Sequence, residues 1–181
     1  TENLVIGTIN GWAETVTKWN MALDDQCGPH LPQACDNCWG LTTVASNGDV
    51  SFHEDFYALA HLSLFLDPSG DNRRLNISHA HKALAIAVNA TQPYPTVVVL
   101  YMNSEAANTT VRIVLPLPSN SSSVTTTAST CTVTVLMPPA SVATVKWNPA
   151  VDQRLTASWV LTSGDQKHLL ATQTPLPVVC D

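Results

Sequence analysis

The chain is short of positive charge: eight Lys and Arg face fourteen Asp and Glu in 181 residues, for a formal charge of -6, and no two of the basic residues build a cluster beyond Arg73-Arg74. Nucleic-acid binding draws most of its affinity from counterions released by grouped basic side chains. DNA, RNA and anionic membrane surfaces are therefore excluded as partners. Glycine is scarce as well, with seven residues, and none sits in a loop that could cradle a phosphate. No serine or cysteine nucleophile motif is present, so kinase, nuclease and dinucleotide chemistries have no support. No apolar run approaches the roughly 20 residues that cross a bilayer. No basic-then-apolar leader stands at Thr1; the expectation is a removed leader or a piece of something longer.

What is present is concentrated. Hydrophobic residues make up 45% of the chain, ordinary for a protein with a core. The stretch from Gly7 to Gly40 holds Trp12, Trp19 and Trp39 of the five tryptophans, Cys27, Cys35 and Cys38 of the five cysteines, His30, and the carboxylates Asp24 and Asp25. Irregular segments of this kind carry function more often than cores do. Four N-x-S/T sequons, at Asn76, Asn89, Asn108 and Asn120, favour a secreted or extracellular glycoprotein. Cysteines in that compartment pair, but five is odd. Many connectivities are open. The expectation is a local Cys35 to Cys38 bridge and a Cys131 to Cys180 tie, with Cys27 free or joined to another chain.

Periodicity orders the rest. Leu4 to Ile9 is short, apolar and β-branched, which predicts a buried strand that has no partner nearby in sequence. Trp12, Val16, Trp19 and Leu23 have helical spacing, predicting a turn or two of helix that ends at Asp24 and Asp25. Asn47-Gly48 predicts a hairpin over Leu41 to Phe52 with a two-residue turn. Ser51 and Glu54 read as a capping box opening a helix that buries Phe56, Leu59, Ala60, Ser63 and Leu66 and stops at Pro68-Ser69-Gly70. After Asn72 the period becomes two. Strands are predicted at Leu75 to Ser78, Ala83 to Asn89, Thr96 to Met102, Thr110 to Leu115, Ser129 to Leu136, Ser141 to Trp147 and Thr156 to Leu161. Seven short strands at this spacing predict an antiparallel β-sandwich. Ser119 to Thr130 reads as a long exposed loop or a glycosylated edge, and the prolines of the closing TPLPVVCD argue against a central strand.

Five pieces in order carry a resemblance: W-N-M-A-L-D at Trp19 to Asp24, G-P-H at Gly28 to His30, C-x-x-C-W-G at Cys35 to Gly40, F-Y-A-L-A-H-x-S-x-F at Phe56 to Phe65, and T-V-V-V-L-Y-M-N at Thr96 to Asn103. Together they resemble the C-terminal part of glycoside hydrolase family 30, the glucosylceramidase-like and β-1,6-glucanase-like retaining glycosidases. The resemblance runs from about Val5 to Trp147. It implies a mainly β fold in which an antiparallel β-sandwich side domain is preceded by the last βα unit of a (β/α)8 barrel. The implied division is 1–72 for that strand, cysteine-rich loop and helix, 73–147 for the sandwich, and 148–181 for an extension. Trp19 matches the aromatic that lines the family's sugar subsite. Lys18 departs from the acid often found beside it.

A retaining glycosidase needs two carboxylates about 5 Å apart. The family's glutamate pair lies upstream of anything here, so no catalytic residue is expected in this chain, and no cofactor. Trp19, Trp12 and His30 are the candidate sugar contacts, because a flat indole covers the apolar face of a pyranose while polar groups bond its hydroxyls. Trp39 is a weaker candidate. A core-filling Trp19 and a structural His30 are the competing readings. Adjacent Asp24 and Asp25 cannot converge on one substrate and read as a solvated pair. Cys27, His30, Cys35 and Cys38 also have zinc-site spacing, which an oxidising compartment disfavours. Two functions remain. The chain is the C-terminal chain or fragment of a secreted retaining β-glycosidase, inactive alone and completed by a chain, disulfide-linked or not, that carries the rest of the barrel. Otherwise it is a non-catalytic secreted β-sandwich glycoprotein that binds glycan or protein.

Overall fold

The computed structural model describes residues 2–34, 38–68, 70–80, 82–91, 96–116, 130–147, 157–163, 166–176 and 178–180. The chain is mainly β. It begins with a π-helical segment, Glu2–Gly7, that runs into a single helical turn, α1 (Thr8–Asn10). Three short strands follow, β1 (Ala22–Asp24), β2 (Thr42–Val44) and β3 (Val50–Phe52), and then helix α2 (Glu54–Ser63). Nine further strands complete the chain: β4 (Asn72–Leu75), β5 (Ala83–Val88), β6 (Thr96–Asn103), β7 (Thr109–Pro116), β8 (Thr130–Met137), β9 (Ser141–Trp147), β10 (Ala157–Ser163), β11 (Gln166–Leu176) and β12 (Val178–Cys180).

An antiparallel six-stranded sheet, in the order β11-β10-β9-β6-β5-β4, forms the centre, and β12-β8-β7 form a second antiparallel sheet. Alternate residues along the central strands divide two cores. Leu84, Ile86 and Val88 of β5, Val98 and Leu100 of β6 and Val142 of β9 pack with Val5, Ile6, Ala58 and Leu62 from the helical segments. Ala143 and Val145 of β9 pack with Val133, Val135 and Met137 of β8, joined by Tyr101, Val111 and Ile113. Covered on both faces, β5 is buried along its whole length, which is why Ala83 to Val88 reads ALAIAV with no polar alternation. β4 and β11 hold the sheet edges, so Pro175 lies in an edge strand, where a missing N–H is tolerated.

Several sequence expectations give way here. Leu4 to Ile9 is helical, not a strand: without a neighbour a strand would leave its backbone groups unpaired, whereas a helix satisfies them internally. Its apolar residues are still used, since Val5 and Ile6 are fully buried. Trp12 to Leu23 forms no helix; Trp12 has φ of 70°, Trp12 and Trp19 are exposed, and the segment enters β1. Ser51 lies in β3 opposite Thr43, and the N-cap of α2 is His53, which makes no side-chain capping bond. The buried face of α2 is Ala58, His61 and Leu62, offset from the predicted one, and the helix ends at Ser63. The first predicted side-domain strand moves from Leu75 to Ser78 back to Asn72–Leu75. Most of the Ser119 to Thr130 tract, with Asn120, lies outside the described residues. The described residues do not include a barrel, and β1 pairs in parallel only with β2.

The Asn47-Gly48 hairpin forms with one more turn residue than expected. Ala45 N–H donates to the Asp49 carbonyl at 2.8 Å and Gly48 N–H to the Ala45 carbonyl at 2.8 Å, with Gly48 at φ 89°. This is a three-residue connection whose last residue needs the left-handed region.

Candidate functional site: an exposed tryptophan rim

The parallel β1–β2 ladder continues backwards beyond the strands. The carbonyls of Asn20 and Met21 accept the N–H groups of Leu41 and Thr42 at 2.9 and 3.0 Å. Trp19 directly precedes Asn20 and Trp39 lies just before Leu41, so both indoles stand at the same end of this ladder. Trp19 is 80% exposed and Trp39 68%. Lys18 Nζ lies 2.6 Å from Asp55 Oδ2 in the first turn of α2, tying the Trp19 segment to that helix. Trp39 meets the His53 ring edge-on at 5.5 Å between centroids; His53 Nε2 lies 2.7 Å from Thr43 Oγ1, and its N–H donates to the Leu41 carbonyl at 2.9 Å. Met21 and Leu31 are also largely exposed. Exposed indoles suit a ligand with a flat apolar face, as sugars have. His53 and Asp55 carry no sequence signal, since only the fold brings His53 to Trp39 and Asp55 to Lys18.

Trp12 makes its contact with β4. The guanidinium of Arg74 in β4 lies 3.9 Å from its ring centroid, and Asn10 Nδ2 donates to the carbonyls of Ala80 and Ala83 at 2.6 and 2.8 Å. His30 is exposed, its Nδ1 3.0 Å from the Leu31 carbonyl.

The two neighbouring carboxylates do not form a catalytic pair. Asp24 Oδ1 accepts the N–H groups of Gln26 and Gly28 at 2.9 and 2.6 Å, and Asp24 N–H donates to the Gly28 carbonyl at 2.7 Å. Asp24 thus closes its own loop, in the way that Asp side chains commonly nucleate turns. Gly28 is needed by the same closure, because a Cβ there would stand 2.8 Å from Asp24 Oδ2. Asp24 ends a strand and Asp25 opens the turn after it, where the spacing predicted the end of a helix, and both are exposed.

Cys27 is a free thiol, half-buried, whereas Cys38 and Cys131 are disulfide-bonded. Of the zinc-spaced set, Cys35 lies outside the described residues. The sequon asparagines Asn76, Asn89 and Asn108 are exposed and each lies outside a strand. No helix among the described residues is long and apolar enough to cross a membrane.

No family model matches the chain. A segment of 67 residues, 35% of the chain, is 39% identical to an endo-1,6-beta-D-glucanase of Neurospora crassa and covers 14% of it. A segment of 65 residues is 34% identical to an endo-1,6-beta-D-glucanase of Trichoderma harzianum, covering 35% of the chain and 13% of that protein. Among solved structures, SrfJ from Salmonella typhimurium superimposes with a TM-score of 0.53 at 14% identity, over 71% of this chain and 25% of that one. The last likeness concerns fold alone. The matched segment therefore relates the chain to glycoside hydrolases, and the chain spans about a seventh of the length of the curated relatives it matches.

Proposed function

We propose that this chain is the C-terminal part of a secreted retaining β-glycosidase of family 30 type acting on a β-glucan-class substrate, with Trp19 and Trp39 on the rim of its sugar cleft. The observation that carries the proposal is the pair of open indoles at one end of the β1–β2 ladder, braced by Lys18–Asp55 and by His53, in a segment whose motifs resemble that family. The catalytic carboxylate pair belongs to polypeptide outside this chain. The chain alone binds sugar and does not hydrolyse it, because the two carboxylates that stand next to each other, Asp24 and Asp25, include one already committed to closing a loop.

In this proposal residues 1–72 complete a barrel that a longer polypeptide or a partner chain supplies, and Cys27 is the thiol available to join the two. The remaining bridges are Cys35 with Cys38 and Cys131 with Cys180; the β8–β12 register, which sets Cys180 opposite Cys131, supports the second. Exposed Asn76, Asn89 and Asn108 carry N-linked glycans. The experiment is a fluorescence titration of the chain with a β-1,6-linked gluco-oligosaccharide. Trp19→Ala is expected to weaken binding by about 1 to 3 kcal/mol through lost stacking surface. Equal affinity in the variant removes Trp19 from the site.

A further inference from the structure

Trp12 is held in a strained conformation with its ring left open to solvent. Its φ of 70° lies in the left-handed region, which costs a bulky side chain on the order of 1 to 3 kcal/mol. Its indole is nevertheless 80% exposed, so burial of the ring does not offset that cost. One face of the ring is taken by Arg74 at 3.9 Å. Arg74 is itself unusual. It is half-buried in edge strand β4, its side chain makes no hydrogen bond or ion pair among the described residues, and its Nε is buried without a partner. The adjacent Arg73 is by contrast paired with Asp71 at 2.9 Å. The segment is also anchored from behind, through the two bonds from Asn10 to Ala80 and Ala83.

A guanidinium whose Nε is buried with no acceptor is incompletely compensated, and such a group in a native structure calls for an explanation, of which a bound ligand or ion is one. Arginine's planar fork matches a carboxylate with two parallel bonds. The neighbouring indole, its second face open, matches the C–H face of a sugar ring. We infer that Trp12 and Arg74 form a second saccharide site, separate from the Trp19–Trp39 rim, which takes a pyranose that carries a carboxylate. The inference rests on the carbohydrate reading for the class of ligand; the charge requirement comes from Arg74 alone.

The test follows the indole N–H signals of the chain by NMR during titration with methyl β-D-glucuronoside and, separately, methyl β-D-glucoside. The Trp12 signal, assigned through Trp12→Phe, is expected to shift with the glucuronoside, with the neutral glucoside binding there about fivefold or more weakly, the scale of one exposed charge-assisted contact. Arg74→Met should bring the two sugars to equal affinity, and added salt should weaken only the glucuronoside in the unsubstituted chain. Equal affinities in the unsubstituted chain, a silent Trp12 signal, or discrimination that survives Arg74→Met would each overturn the inference. Failure of the rim proposal is read separately. A responsive Trp19 signal with a silent Trp12 sinks only this site, and the reverse sinks only the rim.

Discussion

Acidification should loosen this fold through one side chain, His61. The imidazole is fully buried where α2 meets β9, with Nδ1 3.0 Å from Thr144 Oγ1. Thr144 donates its only hydroxyl proton to the His61 carbonyl at 2.8 Å, so the bond from the ring must be a donation by Nδ1–H. Burial opposes a charged ring there and lowers the pKa from 6.5 to about 4. The folded pKa lies below the unfolded one, so the unfolded chain binds more protons between these values. The contribution to stability is complete above about pH 6.5 and is lost as the pH falls towards 4. Between pH 7 and pH 4.5 a shift of this size amounts to about 2.5 kcal/mol, a large share of the stability of an ordinary domain. Urea unfolding of the chain at the two pH values measures it. In His61→Leu, which keeps the backbone acceptor for Thr144, that loss should shrink by about the same 2.5 kcal/mol, while stability at pH 7 falls by about 1 kcal/mol for the missing bond. The reasoning is refuted if the variant loses as much stability on acidification as the unsubstituted chain, or if the His61 ring titrates above pH 6 by NMR.

Three other outcomes are expected. Asn103, whose Nδ2 donates to the carbonyls of Ala107, Met137 and Pro138 and whose Oδ1 accepts from Glu105 N–H and Thr109 Oγ1, ties the β6–β7 and β8–β9 connections together; Asn103→Ala should cost about 2 to 4 kcal/mol in urea unfolding, since several buried groups lose their partner at once. Gly28→Ala should force Asp24 out of its turn and make 24–34 the first segment cut in limited proteolysis, with the sheet left intact; an unchanged cleavage pattern would show that the loop absorbs the methyl group. Asp55→Asn should leave the melting temperature nearly unchanged, because a single half-buried pair that still reaches water contributes little, yet should weaken oligosaccharide binding several-fold by freeing the Trp19 segment; binding equal to that of the unsubstituted chain would show that the pair does not brace Trp19.

The side domain could be read from the sequence because its strands are long, bounded by Pro and Asn, and rich in β-branched residues. Ala83–Val88, Thr96–Asn103 and Ser141–Trp147 fall almost where their composition and bounding turn residues place them. The opening segment could not. Leu4 to Ile9 has composition and length compatible with either a buried strand or a buried helix, and only contact with Leu84 and Leu100 across the core decides. The Trp12, Val16, Trp19, Leu23 spacing looks helical by coincidence: of these four only Leu23 is buried, so no helical face exists to pack. The Ser51–Glu54 capping pattern failed because Ser51 was already committed to pairing with Thr43. At the candidate site the tryptophans were legible as residue types. Their supports, Asp55 and His53, were not, since these come from beyond the hairpin and reach the rim only through tertiary packing.

The central claim, that this chain holds part of a glycosidase cleft but not its catalytic pair, is tested most directly by assaying one sample for both properties. The purified chain is titrated with a β-1,6-linked gluco-oligosaccharide until binding saturates, and release of new reducing ends is then followed in the same tube. Saturable binding that depends on Trp19, with no release above the buffer blank, is the predicted result. Sustained release that survives removal of contaminating enzyme, or a well-folded chain that binds no sugar, would contradict it.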